Sequence, residues 1–390
     1  MKNKTGITFK AVLKNIAALA FGCVAGLLLL EVVMRIYNPF EQRVRGNRII
    51  LPAHRKYVMT NKDIKGIPSK IIHTKNALGF RGPEKPADDF RNCLSIIAVG
   101  GSTTECLYLP DGGDWPAILG DSLKIHFKRF WINNAGLDGH STFGHIILLK
   151  DYLVAIRPKV VLFLIGSNEI ENTGNSGFES SHIKDKIRFS SIEAFFKSVS
   201  AYSEVGSLIL NLYRYVRARA RGLPHQIVDL KAIPRMPYPE VRLADLLKEH
   251  SVKYIPFFEK RLKALLRLSK ENGILPVLIT QPTLAGEGTD PVTQVNLAAI
   301  RMAGRSGYAE WKLLELYNDV TRRIGKDEGV LVVDLAREMP KNSSYYYDFL
   351  HYTEAGSKKV AEIIQPHLLQ YLVKSFPTLA VGGESHPQNR

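Results

Sequence analysis

An α/β fold with a parallel sheet is what this 390-residue chain predicts, on three observations. Compact apolar runs of strand length recur at 94–99, 130–132, 160–165, 274–280 and 330–333. Helical stretches separate them, and strands that alternate with helices imply a parallel sheet covered on both faces. Gly100 and Gly101 end the first run and deliver Ser102 to the mouth of a helix, the turn that such sheets use for chemistry.

Composition sets the outer limits. With 45% hydrophobic and 23% charged residues, the chain has the balance of a globular protein and the length for one large domain with insertions, or for two. Lys and Arg number 53 against 37 Asp and Glu, a formal charge of +16. Residues 1–50 carry +6 of it, so the rest is diffuse, and with no nucleic-acid motif the excess suits a membrane surface rather than a nucleic-acid partner. Cys23, Cys93 and Cys106 form no CxxC pair and no metal-ligand spacing, so no structural metal is expected.

Taken in order, Lys2, Lys4, Lys10 and Lys14 precede a run at 16–36 that is apolar apart from Glu31 and Arg35. About 20 such residues cross a bilayer as a helix. The run is too long for the core of a cleaved signal and leads into Glu31 without a small-x-small site, so residues 1–37 read as a cytoplasmic N-terminus and an uncleaved anchor with the bulk of the chain exported. Residues 38–89, with Pro39, Pro52, Pro68, Pro83 and Pro86, have weak periodicity and read as a linker and lead-in. The main domain is expected over 90–375, with a helical insertion at about 172–250 and a disordered tail at 376–390.

Pro276 within the fourth run marks a short or irregular strand. Helices are clearest at 308–324, where Trp311, Leu314, Val320 and Ile324 share a face, and at 354–372, where Pro366 predicts a kink. In the insertion, Val205, Ile209, Leu212 and Val216 share a helical face, with Arg214, Arg217, Arg219 and Arg221 toward its end. That segment reads as a surface helix, or alternatively as a lid or a membrane-facing helix.

Functional groups of an open parallel sheet collect at the carboxyl ends of its strands. Ser102 follows the first run, the loop Asn134-Ala135-Gly136-Leu137-Asp138-Gly139-His140 the second, and Gly166-Ser167-Asn168-Glu169 the third. Asp348 and His351 lie three apart in a loop before the last helix. Acyl transfer needs these groups: a serine nucleophile, an imidazole to take its proton, a carboxylate to hold the imidazole, and two or three donors for the oxyanion. Each has a plainer reading alone, Gly139 as a turn glycine and Asn168 or Asp348 as a loop cap.

Together Gly100-Gly101-Ser102-Thr103-Thr104, the 134–139 loop, Gly166-Ser167-Asn168 and 348–351 resemble the four sequence blocks of the SGNH hydrolases, or GDSL-type esterases and lipases. The resemblance covers about 94–372 without the insertion and includes Asp114-Trp115-Pro116. It implies a flavodoxin-like three-layer α/β/α sandwich behind the N-terminal transmembrane helix, without the GxSxG elbow of α/β-hydrolases, whose last glycine is Thr104 here. It implies Ser102 as nucleophile, His351 as base and Asp348 as its orienting acid, with Ser102, Gly139 and Asn168 as the oxyanion hole. No cofactor is implied. The first block reads GGST in place of GDS, and Glu169 stands where the third block has aspartate.

The expected function is a membrane-anchored serine hydrolase that cleaves short acyl esters on extracytoplasmic glycans or lipids. An O-acyltransferase would use the same residues, with a sugar hydroxyl in place of water. A non-catalytic glycan-binding or scaffold protein is the alternative from another class. Phosphate binding at Gly100-Gly101-Ser102 lacks the lysine and spacing of a P-loop.

Overall fold

Strand order explains where the chemistry gathers. In the computed structural model, which describes residues 9–38, 44–45, 48–171, 195, 199–220, 225, 227–302 and 304–382, five strands form one parallel sheet. They are β1 (Leu94–Gly100), β2 (Phe130–Asn134), β3 (Val160–Ile165), β4 (Leu275–Thr280) and β5 (Val332–Val333). Their spatial order is 2-1-3-4-5, the flavodoxin-like doubly wound order, which reverses direction between β1 and β3. That crevice is where Ser102 emerges.

β1 and β3 are buried at every position, which is why both read as continuous apolar runs. Ile96, Ala98, Leu162, Leu164, Val277 and Ile279 join one core with Trp115, Leu119, Ile364 and Leu368. The helices Trp115–Leu123 and Glu354–Ser375 pack against each other in that layer. Ile97, Val99, Val161 and Phe163 alternate to the other face, where helices Ile255–Glu271 and Gly307–Asp327 pack together on β4. The result is the expected three-layer α/β/α sandwich.

Pro276 is accommodated because β5 pairs only with Leu278 and Ile279, so the missing N–H falls beyond the paired part of that edge. Helix Glu354–Ser375 continues through Pro366. Residues 38–89 contain more order than their weak periodicity suggests: Arg55–Thr60 and Lys70–Lys75 form an antiparallel hairpin. Past Phe376 the expectation of disorder is corrected for residues 377–382. Lys128 N donates to Leu379 O at 2.9 Å and Val381 N to His126 O at 2.9 Å, so the chain returns to the domain. Residues 383–390 lie outside the described residues, as do 172–194, 196–198, 221–224 and 226 of the expected insertion.

The contacts divide the chain into two units, Met1–Ile50 with Ser181–Arg221, and Leu51–Ser180 with Gly222–Arg390. In the smaller unit, helix Phe9–Ile36 contains one span, Ala11–Ile36, long and apolar enough to cross a membrane. Near its end Glu31 accepts from Ser203 Oγ at 2.8 Å and from the Glu204 and Val205 amides at 3.1 Å, capping the insertion helix Glu204–Ala220. Arg35 closes the cluster with bonds to Glu31 and to the Tyr202 carbonyl. Of the insertion helix's expected apolar face, Val205 is buried, whereas Ile209, Leu212 and Val216 are exposed.

Trp115 is fully buried beside β1 and donates its indole N–H to Thr103 O at 3.2 Å. Trp115→Ala is therefore expected to cost about 3–5 kcal/mol of stability, measured by urea unfolding of the detergent-solubilised protein. A loss below about 1 kcal/mol would contradict this packing role.

Candidate active site

The turn after β1 is shaped by what lies against it. Gly101 precedes helix Ser102–Glu105, and a Cβ there would collide with the side-chain amide of Asn168. Glycine is what allows that amide to lie beside Ser102. Thr103, next in line, donates to Gln281 Oε1 at 3.0 Å, which ties the Ser102 turn to the end of β4.

Asp348 and His351 come from the loop before helix Glu354–Ser375, whose start is capped by Thr353 accepting from Gly356 N at 3.1 Å. Asp348 Oδ1 accepts from the amides of Leu350 (2.8 Å) and His351 (2.7 Å), and Oδ2 lies 2.6 Å from His351 Nδ1. A carboxylate only accepts, so Nδ1 carries the proton and Nε2 accepts from Ser102 Oγ at 2.7 Å. Two side chains 249 positions apart are thus hydrogen-bonded. Burial alone would raise the Asp348 pKa, but His351 and the two amides outweigh it and hold the carboxyl below its ordinary value. The sign follows: Asp348 favours the folded state above its unfolded pKa of about 3.9 and loses that contribution as pH falls through the lowered one.

The other expected residues sit around the same turn. Asn168 Nδ2 donates to His140 O at 2.7 Å. Leu137 N donates to Gly100 O at 3.1 Å, which docks the second loop on the end of β1. Gly139 sits in that loop at φ +71°, with nothing within 4 Å of a notional Cβ. Neither the Ser102 nor the Gly139 amide meets a protein acceptor among the described residues. Glu169 reaches sideways, accepting from Thr142 N at 2.5 Å and Arg261 Nη2 at 2.9 Å. It fastens the third block to the start of helix Thr142–Leu148.

Sequence reasoning passed over the buried charges that hold these loops. Glu105 accepts from Asp138 N at 2.6 Å and pairs with Lys75 Nζ at 3.5 Å, both side chains almost wholly buried. Arg81, 1% exposed, donates to the carbonyls of Glu105, Cys106, Leu109 and Pro110 and lies 3.4 Å from Asp114. Asp114 in turn accepts from Asn134 Nδ2 at 2.9 Å. Lys75 and Arg81 belong to a stretch of weak periodicity, so only their partners reveal them. His225, packed on His351, carries no motif at all.

His225, Asp348 and His351 present donor atoms within 4.8 Å of one another. Their hydrogen bonds to Tyr347, Ser102 and each other account for the clustering. The arrangement offers a hydroxyl with its proton acceptor in place, a carboxylate behind that acceptor, and amide donors alongside, which is the equipment for acyl transfer.

The model of the GDSL-like lipase/acylhydrolase family matches residues 98–359, and the chain belongs to this family. It is a carboxylic ester hydrolase by class. No curated protein matches it. Solved structures similar to it include a lipolytic protein of the G-D-S-L family from Desulfitobacterium hafniense, at 12% identity over 70% of this chain and 99% of that one, with a TM-score of 0.38. An acetylxylan esterase from Geobacillus stearothermophilus shares 14% identity over 70% and 93%, with a TM-score of 0.40. A GDSL-like lipase from Bacteroides thetaiotaomicron shares 12% over 75% and 93%, at 0.37.

Breaking the Glu105–Lys75 pair from one side should strand a buried ammonium. Glu105→Gln is expected to destabilise the protein by about 3–5 kcal/mol, and adding Lys75→Met should recover most of the loss. Equal losses in the single and double variants, by thermal unfolding, would contradict the pairing.

Proposed function

We propose that Ser102 attacks the acyl carbonyl carbon of a short-chain ester while its proton passes to His351 Nε2, with Asp348 holding the imidazole and steadying its cationic form. The observation that carries this reading is the continuous hydrogen-bonded line from Ser102 Oγ through His351 to Asp348. The oxyanion of the tetrahedral intermediate meets the amides of Ser102 and Gly139 and the side chain of Asn168, donors of a kind worth about 2.7–4 kcal/mol each in the transition state. Collapse expels the alcohol, which takes the proton from His351. Water then repeats the sequence on the acyl-enzyme, with His351 as base, and releases the acid.

The space beside Ser102 favours small acyl groups. A small pocket there is bounded by Cys106, Tyr108, Leu109, Tyr347 and Tyr352, bulky side chains that leave little free space for a long acyl chain. The apolar helix Phe9–Ile36 is read as an uncleaved anchor that holds the enzyme at the outer face of the membrane. Acylated glycans or lipids of that compartment are the proposed substrates.

The test is turnover of p-nitrophenyl acetate and p-nitrophenyl octanoate by the wild type and two variants. Ser102→Ala should abolish hydrolysis, Asp348→Asn should lower kcat by about 10⁴-fold through the wrong tautomer, and the acetate should be preferred. Turnover unchanged in Ser102→Ala would reject the nucleophile. Preference for octanoate would reject the short-acyl reading alone.

A further inference from the structure

His225 belongs to the expected insertion at about 172–250 and lies against the proposed base without belonging to any of the four sequence blocks. Its ring centroid is 4.1 Å from that of His351, at an interplanar angle of 42°. The side chain is only 9% exposed. Its Nδ1 is 2.6 Å from Tyr347 Oη, Tyr108 meets it edge-on at 5.1 Å, and its Nε2 is 3.8 Å from Asp138 Oδ2. Tyr347 also stacks on His351, at 5.6 Å and 12°. The groups facing His225 are therefore His351, Tyr347, Tyr108, Asp138 and the nearby Asp348 carboxylate.

Burial, reinforced by the Asp348 charge, pushes the Tyr347 hydroxyl well above its ordinary pKa, so it keeps its proton. Tyr347 then donates to His225 Nδ1. A neutral His225 so held carries its own proton on Nε2, the nitrogen nearer Asp138.

We propose that His225 is a positioning residue that acts through His351: neutral, it braces the imidazole between Asp348 and Ser102, and protonated, it disables the site. The proposal rests on the reading of His351 as base. An imidazolium forms on His351 each time Ser102 gives up its proton, and a neutral ring at 4.1 Å offers that cation an electron-rich neighbour. A protonated His225 would oppose it as a like charge at the same separation. The same protonation removes the Nδ1 acceptor that Tyr347 uses, an effect smaller than that of the charge because the ring itself stays packed on His351. Asp138, 3.8 Å from His225 Nε2, and Asp348, bonded to His351 Nδ1, temper the repulsion without cancelling it.

The experiment is the pH dependence of kcat/KM for p-nitrophenyl acetate with the full chain in detergent micelles. The wild type should lose activity on the acid side with two protons, one on His351 and one on His225, a logarithmic slope approaching 2. His225→Phe and His225→Gln, which cannot take a proton, should each show a slope of 1. At the plateau, His225→Phe should fall by less than about 3-fold and His225→Ala, which removes the ring, by about 10-fold or more. A one-proton limb in the wild type, or a two-proton limb that persists in both His225→Phe and His225→Gln, overturns the proposal. Ser102→Ala measured alongside separates the two levels: surviving activity removes the reading of the site itself, whereas its loss with a one-proton wild-type limb removes only the role of His225.

Discussion

The hydrogen bond between Ser102 Oγ and His351 Nε2 is the constraint on which the site depends, because it can form only if the two ends of the domain meet on one edge. Ser102 is fixed by β1, at the point where strand order reverses, and His351 by the loop that feeds the last helix. Gln281 helps to close the distance between them. It accepts from Thr103 beside the serine and follows β4, while the adjoining Thr283 donates to Phe349 O in the histidine loop. The sheet therefore sets the spacing of Ser102 and His351 through ordinary loop bonds on a rigid frame, which suits a geometry that tolerates little slack.

Around that bond the domain spends buried charge on loops rather than on substrate. Glu105 serves the second block through Asp138 N, Glu169 serves the third through Thr142 N, and Arg81 gathers four carbonyls below helix Ser102–Glu105. Each of these charges is balanced by a partner, Lys75, Arg261 or Asp114. Buried ions satisfied in this way add little net stability over apolar residues of the same shape, yet they specify one loop arrangement where many would otherwise compete. That is consistent with their position directly beneath the turns that carry Ser102, Gly139 and Asn168.

Much of this was legible in the amino-acid order and some was not, for physical reasons. β1 and β3 could be read because strands buried on both faces are apolar at nearly every residue, and Ser102, Asp348 and His351 stood out as candidates because the serine follows a strand and the other two lie three apart in the loop before the last helix. β5 was harder: of the run 330–333, only Val332 and Val333 pair. The hairpin Arg55–Thr60 with Lys70–Lys75 escaped notice because its outer strand alternates exposed and half-buried side chains and its inner one ends on buried Lys75. Charge-bearing residues such as Arg81 look solvated in a sequence until their acceptors, up to 29 positions away, are known. His225 is a case of the same kind, since only proximity in space distinguishes it from the other histidines. The order beyond Phe376 arises from backbone bonds to residues 126 and 128 and from Leu379 and Ala380 against the core, too few apolar residues to form a periodic pattern.

The most direct measurement is covalent labelling of the purified full-length protein with a fluorophosphonate, followed by peptide mapping. A hydroxyl activated by a hydrogen-bonded imidazole should take up the label at Ser102, and the rate should collapse in His351→Ala. Label found on another serine, or a rate at Ser102 indifferent to the loss of His351, would contradict the claim that these two side chains act as one unit.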